Sequence, residues 1–261
     1  MAGLEHGAAL LPVSGAPWRG VRYGCTTRRG GVSVGVWASF NLGMHTGDDP
    51  QAVRENRRRL AAALPAEPFW LEQVHGTQVA DADAPQWHAG TSLPRADAAI
   101  TSETGRVLAI MTADCVPVVM ADIEGRVLGV AHAGWRGLAG GVLEATLAAM
   151  QQRLPAAVAW RAWVGPCIGQ ARFEVGEEVR QAFVDFHPDA DKFFLPGRYA
   201  GKWMADLPAL ACQRLEMAGV YGAELSGLCT YDRDDLFYSY RRSAGTGRMA
   251  TLAWLVPPGQ S

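Results

Sequence analysis

The chain has 261 residues, 49% of them hydrophobic and 19% charged, with a formal net charge of −2. Apolar content at that level supports a substantial core and excludes a disordered chain. A near-neutral balance offers neither the basic excess that suits nucleic acid nor a lysine-rich face for a membrane surface, which leaves a small molecule as the expected partner.

The length fits one large or two ordinary domains. With no repeat, low-complexity tract or long linker, a single α/β domain over residues 1–261 is expected, its first 20 residues an irregular lead-in. Glu5 lies where a secretory signal would carry positive charge, and no uncharged apolar run approaches a bilayer span, so a cytoplasmic location is expected. The cysteines at 25, 115, 167, 212 and 229 are odd in number and scattered, with no C-x-x-C pair. This excludes a paired-cysteine zinc ribbon and argues against a disulfide framework; four of the five read as small buried hydrophobes.

In chain order, Val21–Thr26 reads as a strand and Arg28–Ser33 as a glycine-rich turn. Ser39–Asp49 is polar, punctuated by glycine and not periodic, hence a loop. Asp49 is a good N-cap and Pro50 a good first helical residue, so a helix is expected from about 50 to 63. Phe69–Val74 and Thr77–Ala80 read as strands flanking His75-Gly76, followed by Ala98–Thr101, Val107–Thr112, Val116–Ala121 and Arg126–Ala131. Their continuous apolar character predicts strands covered on both faces. A buried helix is expected from about 138 to 153, then a strand at Trp160–Val164. Val175, Val179, Phe183 and Phe186 recur at helical spacing. Asp206-Leu207-Pro208 opens a last helix that Gly219 closes, and strands near 223–228 and at Met249–Val256 complete the pattern. Hairpin-like strand pairs alternating with helices predict mixed sheets.

Three residues able to do chemistry fall at the ends of these strands. Cys115 sits between an apolar run and Val116-Pro117, His132 precedes the turn Gly134-Trp135-Arg136-Gly137, and His75 ends a third strand-like segment. Rigid scaffolds place chemistry at such ends. One thiolate and two neutral imidazoles suit zinc or copper and would leave a fourth position open, whereas magnesium and calcium want oxygen ligands. Their separations match no short local motif, and the plain alternatives are structural imidazoles and a core thiol. Asp114 next to Cys115 opposes thiolate formation unless a cation is near, and it is a candidate proton carrier or a turn cap. The Gly134–Gly137 turn with Arg136 could hold an anion at a helix start, and Arg241-Arg242 forms a second candidate clamp. Asn56-Arg57 falls within a helix, where a surface role is the ordinary reading.

Gln73-Val74-His75-Gly76, Thr112–Pro117, His132–Gly137 and Gly165-Pro166-Cys167-Ile168-Gly169 occur in an order that resembles one family. So do the flanking Asn41-Leu42-Gly43, Gly47-Asp48-Asp49, Asn56-Arg57, Cys229-Thr230, Ser239–Arg242 and Thr246-Gly247-Arg248. The chain is similar, from about residue 20 to 256, to members of the PgeF/YfiH family, called laccase-domain or polyphenol oxidase proteins, purine nucleoside phosphorylases and peptidoglycan editing factors. The resemblance implies a single α/β (α+β) domain with two mixed sheets between helices. It also implies a zinc site at His75, Cys115 and His132, with copper as the other metal to consider. The implied activities are phosphorolysis of adenosine, inosine and 5′-methylthioadenosine, and deamination of adenosine. On this reading His75, Cys115, His132 and Asp114 are the catalytic group. Asn41, Arg57, Arg136 and Arg241 are the substrate-binding candidates, with Trp135 or Tyr240 as stacking surfaces, and a homodimer is compatible with the sequence.

Other readings keep the site and change the reaction. An editing hydrolase would remove L-serine from a muramyl peptide precursor, in a thiol version with Cys115 as nucleophile and a histidine as base. A multi-copper oxidase would exhaust the six histidines, of which His6, His88 and His187 have no ligand-like context. A non-enzymatic role with structural zinc lacks a convincing fourth ligand.

Overall fold

The strands are β1 (Val21–Cys25), β2 (Val79–Asp81), β3 (Ala98–Thr101), β4 (Leu108–Thr112), β5 (Val116–Asp122), β6 (Leu128–Ala133), β7 (Trp160–Val164), β8 (Glu174–Gly176), β9 (Phe194–Pro196), β10 (Lys202–Ala205), β11 (Glu224–Leu225) and β12 (Met249–Leu255). The α-helices are α1 (Pro50–Ala61), α2 (Trp135–Gly140), α3 (Val142–Arg153), α4 (Glu177–Val184) and α5 (Leu207–Met217). The structure is a computed structural model and describes residues 11–87 and 92–257.

A six-stranded sheet in the order β11-β7-β5-β6-β3-β2 forms the centre. It is mixed: β11 with β7 and β2 with β3 are parallel, and the other pairs are antiparallel. Every residue of β4, β5 and β6 is buried, as continuous apolar runs require. Side-chain alternation then assigns the faces. Val116, Val118 and Met120 pack with Leu138, Val142, Leu143, Leu147 and Leu210 of the helices. Val119 and Ala121 turn the other way, onto Leu108 and Ile110 of β4 and Ala253 of β12. The antiparallel sheet β1-β12-β4 is therefore the second layer. Its outer face, with Ala109, Met111 and Leu252, meets Leu60 of α1 together with Phe40 and Leu42. Two sheets between helices are thus present, one mixed and one antiparallel. A third, small antiparallel sheet β8-β10-β9 was not foreseen.

Local chemistry sets the boundaries. Asp49 caps α1 by accepting from Gln51 N, and Asp206 caps α5 by accepting from Ala209 N. The helix expected at 138–153 is two helices, because Gly141 adopts φ 97 between α2 and α3. Val175 belongs to strand β8, and the helix starts only at Glu177. The segment expected as a strand at Phe69–Val74 makes only isolated bridges, Phe69 with Leu108 and Glu72 with Arg95. Asn56 is fully buried, not on the surface. Its amide donates to Ser33 Oγ, Ser39 O and Asn41 O, and its Oδ1 accepts from Val32 N. All five cysteines are free; Cys25 and Cys167 are buried, and Cys212 and Cys229 partly so. Among the described residues no helix is long and apolar enough to cross a membrane.

Gly141→Ala places a Cβ on a left-handed residue and should lower stability by about 1–2 kcal/mol. Thermal denaturation checks this; an unchanged melting temperature would show that the break between α2 and α3 does not need glycine.

Candidate metal centre and its cavity

His132 lies near the end of β6, Cys115 just before β5, and His75 in the loop that precedes β2. The residue that aligns them is Asp97, fully buried at the start of β3. Its Oδ1 pairs with His132 Nδ1 at 2.8 Å and accepts from His75 N at 2.9 Å. Its Oδ2 accepts from Val74 N at 3.1 Å and Gly76 N at 2.6 Å. One carboxylate thereby holds both a histidine ring and the tight turn in which His75 adopts φ 60. Because Nδ1 of His132 faces Asp97, Nε2 is the nitrogen left to point inward.

Asp114 does the same for Cys115 from the other side, at φ 97. Its carboxylate accepts from Thr230 Oγ1 at 2.6 Å, Ser239 Oγ at 3.0 Å and Arg241 N at 2.7 Å, while Ile168 N donates to its carbonyl at 2.9 Å. Both carboxylate oxygens are committed to the 230–241 loop, so its geometry suits positioning better than proton carriage. The motifs around Thr230 and Ser239 are the partners of this one side chain, and the one around Ile168 bonds its backbone.

The result is convergence. Cys115 Sγ lies 3.9 Å from His75 Nε2, and one donor atom from each of His75, Cys115 and His132 lies within 4.8 Å of the others. The two imidazole rings meet edge to face with centroids 4.8 Å apart. Gly134 is required here: a Cβ would sit 2.8 Å from His75 Cδ2 and 3.1 Å from Cys115 Sγ. A thiolate and two imidazoles, one oriented by a carboxylate, fit a zinc or copper ion, so these three residues could hold a metal.

Electrostatics favour the charged thiolate. Burial alone would push the Cys115 thiol up, but the charge and hydrogen bond of His132, with the hydrogen bond of His75, hold it at about 6. For His132, burial pulls downward and is overcome by the Cys115 charge and the Asp97 hydrogen bond, which raise it to about 9. Asp97 stays below its ordinary value despite burial, because of the His132 and backbone hydrogen bonds.

These donors open onto a cavity of about 450 Å³ whose walls include Arg136, Arg241, Arg248, His45, Phe173 and Tyr240. That volume is in the range of small-molecule sites. Of the expected binding residues, Arg136 and Arg241 line it and are exposed. Asn41 and Arg57 do not. Asn41 is fully buried, its side chain engaged by its own loop and by Arg248 N, and Arg57 donates to Leu42 O and is stacked 4.0 Å over Trp70. Both expected stacking residues line the cavity: Trp135 carries the Arg136 guanidinium 4.3 Å over its ring, and Tyr240 is 56% exposed. The helix after the glycine turn has only six residues, which leaves side chains as the means of holding an anion. Gln73 and Arg248 stood within quoted motifs but were given no role, and Asp97 and His45 were not picked out from the sequence. An acid set among the alanines of 96–99 is the signal that would have found Asp97. His187 does not line the cavity, and His6 and His88 lie outside the described residues.

A sequence-family model described as multi-copper polyphenol oxidoreductase laccase matches residues 22–256. A Pseudomonas aeruginosa protein named purine nucleoside phosphorylase is 47% identical over 248 residues, covering 95% of this chain and 98% of that one. Escherichia coli YfiH, also named purine nucleoside phosphorylase, is 44% identical over 240 residues, covering 91% and 95%. The crystal structure of a Neisseria meningitidis protein superposes with a TM-score of 0.86 at 42% identity, covering 95% of this chain and all of that one.

Metal-free protein should show Cys115 alkylation that falls as pH drops through about 6. Asp97→Asn withdraws the charge that stabilises the His132 imidazolium, so the midpoint should rise toward the ordinary thiol value near 8.5. A midpoint near 8.5 in the unaltered chain would contradict the thiolate–imidazolium pair.

Proposed function

Because the chain belongs to the multi-copper polyphenol oxidoreductase laccase family, whose curated members include proteins named purine nucleoside phosphorylase, we propose that it is a purine nucleoside phosphorylase using a metal held by His75, Cys115 and His132. The observation that carries this reading is the placement of three soft donors in a nucleoside-sized cavity also lined by guanidinium groups. Zinc is the preferred ion and copper the alternative, and either would supply a fixed positive charge and Lewis acidity when bound. Adenosine, inosine and 5′-methylthioadenosine are the proposed substrates. A cytoplasmic setting fits a chain whose five cysteines are all free.

In phosphorolysis an oxygen of hydrogen phosphate forms a bond to ribose C1′ as the bond from C1′ to the purine nitrogen breaks. The base leaves with the electron pair and takes up the proton that the phosphate gives up, so atoms and charge balance. The protein's part is to hold the two reactants in line and exclude competing water. Tyr240 and Phe173 offer aromatic surface to the purine, and the cavity's arginines offer charge to the phosphate. Adenosine deamination belongs to the same proposal: water adds at C6, ammonia leaves, and inosine is the product.

A thiol-hydrolase reading draws on the low Cys115 pKa and would suit the muramyl editing reaction. Ligation by all three donors opposes it, since a bound thiolate is not free to attack. For the oxidase description, the described residues contain one donor cluster of metal-binding geometry, which suits a mononuclear site and not a multi-copper one.

Purified protein incubated with adenosine, with and without phosphate, tests the proposal. Phosphate-dependent adenine and ribose 1-phosphate are expected, with inosine from the deaminase activity. Absence of all three products would overturn the nucleoside reading.

A further inference from the structure

The metal centre leaves several sequence motifs unused, and the fold brings them to one wall. Asn41 Oδ1 accepts from Gly43 N and from Arg248 N, both at 2.9 Å, while its amide donates to Thr46 Oγ1 at 2.9 Å and Asp48 Oδ2 at 3.0 Å. One buried side chain therefore stitches the 41–48 loop to the 246–248 segment. Gly43 permits the approach, since a Cβ there would lie 2.8 Å from Arg248 Cγ. Both His45 and Arg248 consequently line the cavity that holds the metal donors.

Arg248 forms no ion pair among the described residues, and its guanidinium lies 5.9 Å from the centroid of the Tyr240 ring. Its Nη1 donates to Thr246 O at 2.8 Å and Gly247 O at 3.0 Å, which fixes the guanidinium plane. Among the described residues its Nε and Nη2 meet no protein acceptor, and no carboxylate forms an ion pair with it. The acid nearest in role, Asp114, has both oxygens engaged elsewhere. The Nε–Nη2 edge is the face of a guanidinium that matches two oxygens of a phosphate. Arg136 and Arg241 are exposed, whereas Arg248 is only partly so, and a charge with less water around it competes harder for an anion. Burial and the charges of Arg248 and Arg57 lower the His45 pKa. A neutral imidazole beside the fork can accept from the one hydroxyl of hydrogen phosphate.

We propose that Arg248, with His45 beside it, forms the binding site for inorganic phosphate, and that Arg136 and Arg241 act only as an outer, screened rim. This assignment rests on the phosphorolysis reading for its role as co-substrate.

The test compares Arg248→Gln, Arg248→Lys and Arg136→Gln with the unaltered protein, in the metal-loaded form. Two charge-assisted hydrogen bonds are removed in Arg248→Gln, so KM for phosphate should rise roughly 10- to 100-fold while KM for inosine stays within about 2-fold. Arg248→Lys keeps the charge without the fork and should fall between, and Arg136→Gln should shift the phosphate KM by less than about 3-fold. Should Arg248→Gln not fold, the intermediate phosphate KM of Arg248→Lys still decides. Unchanged phosphate KM in the Arg248 variants, an equal rise in both constants, or a larger effect at Arg136 would overturn the site. Calorimetry with inorganic phosphate alone separates the two levels of the proposal. If the unaltered protein forms no ribose 1-phosphate, the phosphorolysis reading falls together with the co-substrate role. Binding of phosphate that is lost in Arg248→Gln would still support the anion site, and binding that persists would overturn it.

Discussion

The arrangement depends first on the carboxylate of Asp97. It takes part in four short contacts, three from consecutive backbone N–H groups and one with an imidazole nitrogen. A buried charge without such partners would be strongly unfavourable, so the turn at 74–76 and the His132 ring must close around it together. What results is a single anchor for two donors that lie far apart in the chain. The third donor is fixed by a different acid, Asp114, from the opposite loop. Two carboxylates outside the donor set thus fix the geometry of three residues that could hold a metal.

The architecture explains why a site of this kind can be held rigidly. Cys115 and His132 sit at the ends of strands whose every residue is buried, with helices on one face of the central sheet and a second sheet on the other, and His75 is held in its loop by Asp97. Such packing resists displacement, because cores at this density have no room for small shifts. Around the cavity the division of labour is spatial. Soft donors converge at one place, aromatic surface from Phe173 and Tyr240 lies beside them, and the wall built on Asn41 brings a guanidinium that, among the described residues, pairs with no carboxylate.

Much of this was legible in the residues. The apolar runs read at 98–101, 107–112 and 116–121 have no competing pattern and are strands within a residue. A strand end before a glycine turn marked His132, whereas the strand-like segment that marked His75 makes only isolated bridges. Boundaries failed where tertiary contacts override local preference. Val175 fits a helical repeat with Val179 and Phe183, yet it pairs with Trp203 in a sheet whose strands β9 and β10 carry no alternation of their own. Asn41 and Arg57 were expected at the substrate, and neither lines the cavity; Asn41 instead ties together the segments that carry His45 and Arg248. A sequence pattern can show that a polar residue is unusual for its place, but only coordinates tell whether its hydrogen bonds face inward or toward a ligand. Asp97 was hidden, and Arg248 stood in a motif without a role, for the same reason: a lone acid or arginine acquires meaning from partners brought in by the fold.

Whether Cys115, His75 and His132 share one ion decides the chemistry open to this site. X-ray absorption at the edge of the metal that copurifies with the protein addresses this directly. With zinc, one sulfur near 2.3 Å and two nitrogens near 2.0–2.1 Å are expected, and the sulfur contribution should vanish in Cys115→Ser. A first coordination sphere of nitrogen and oxygen alone, unchanged by that substitution, would contradict it.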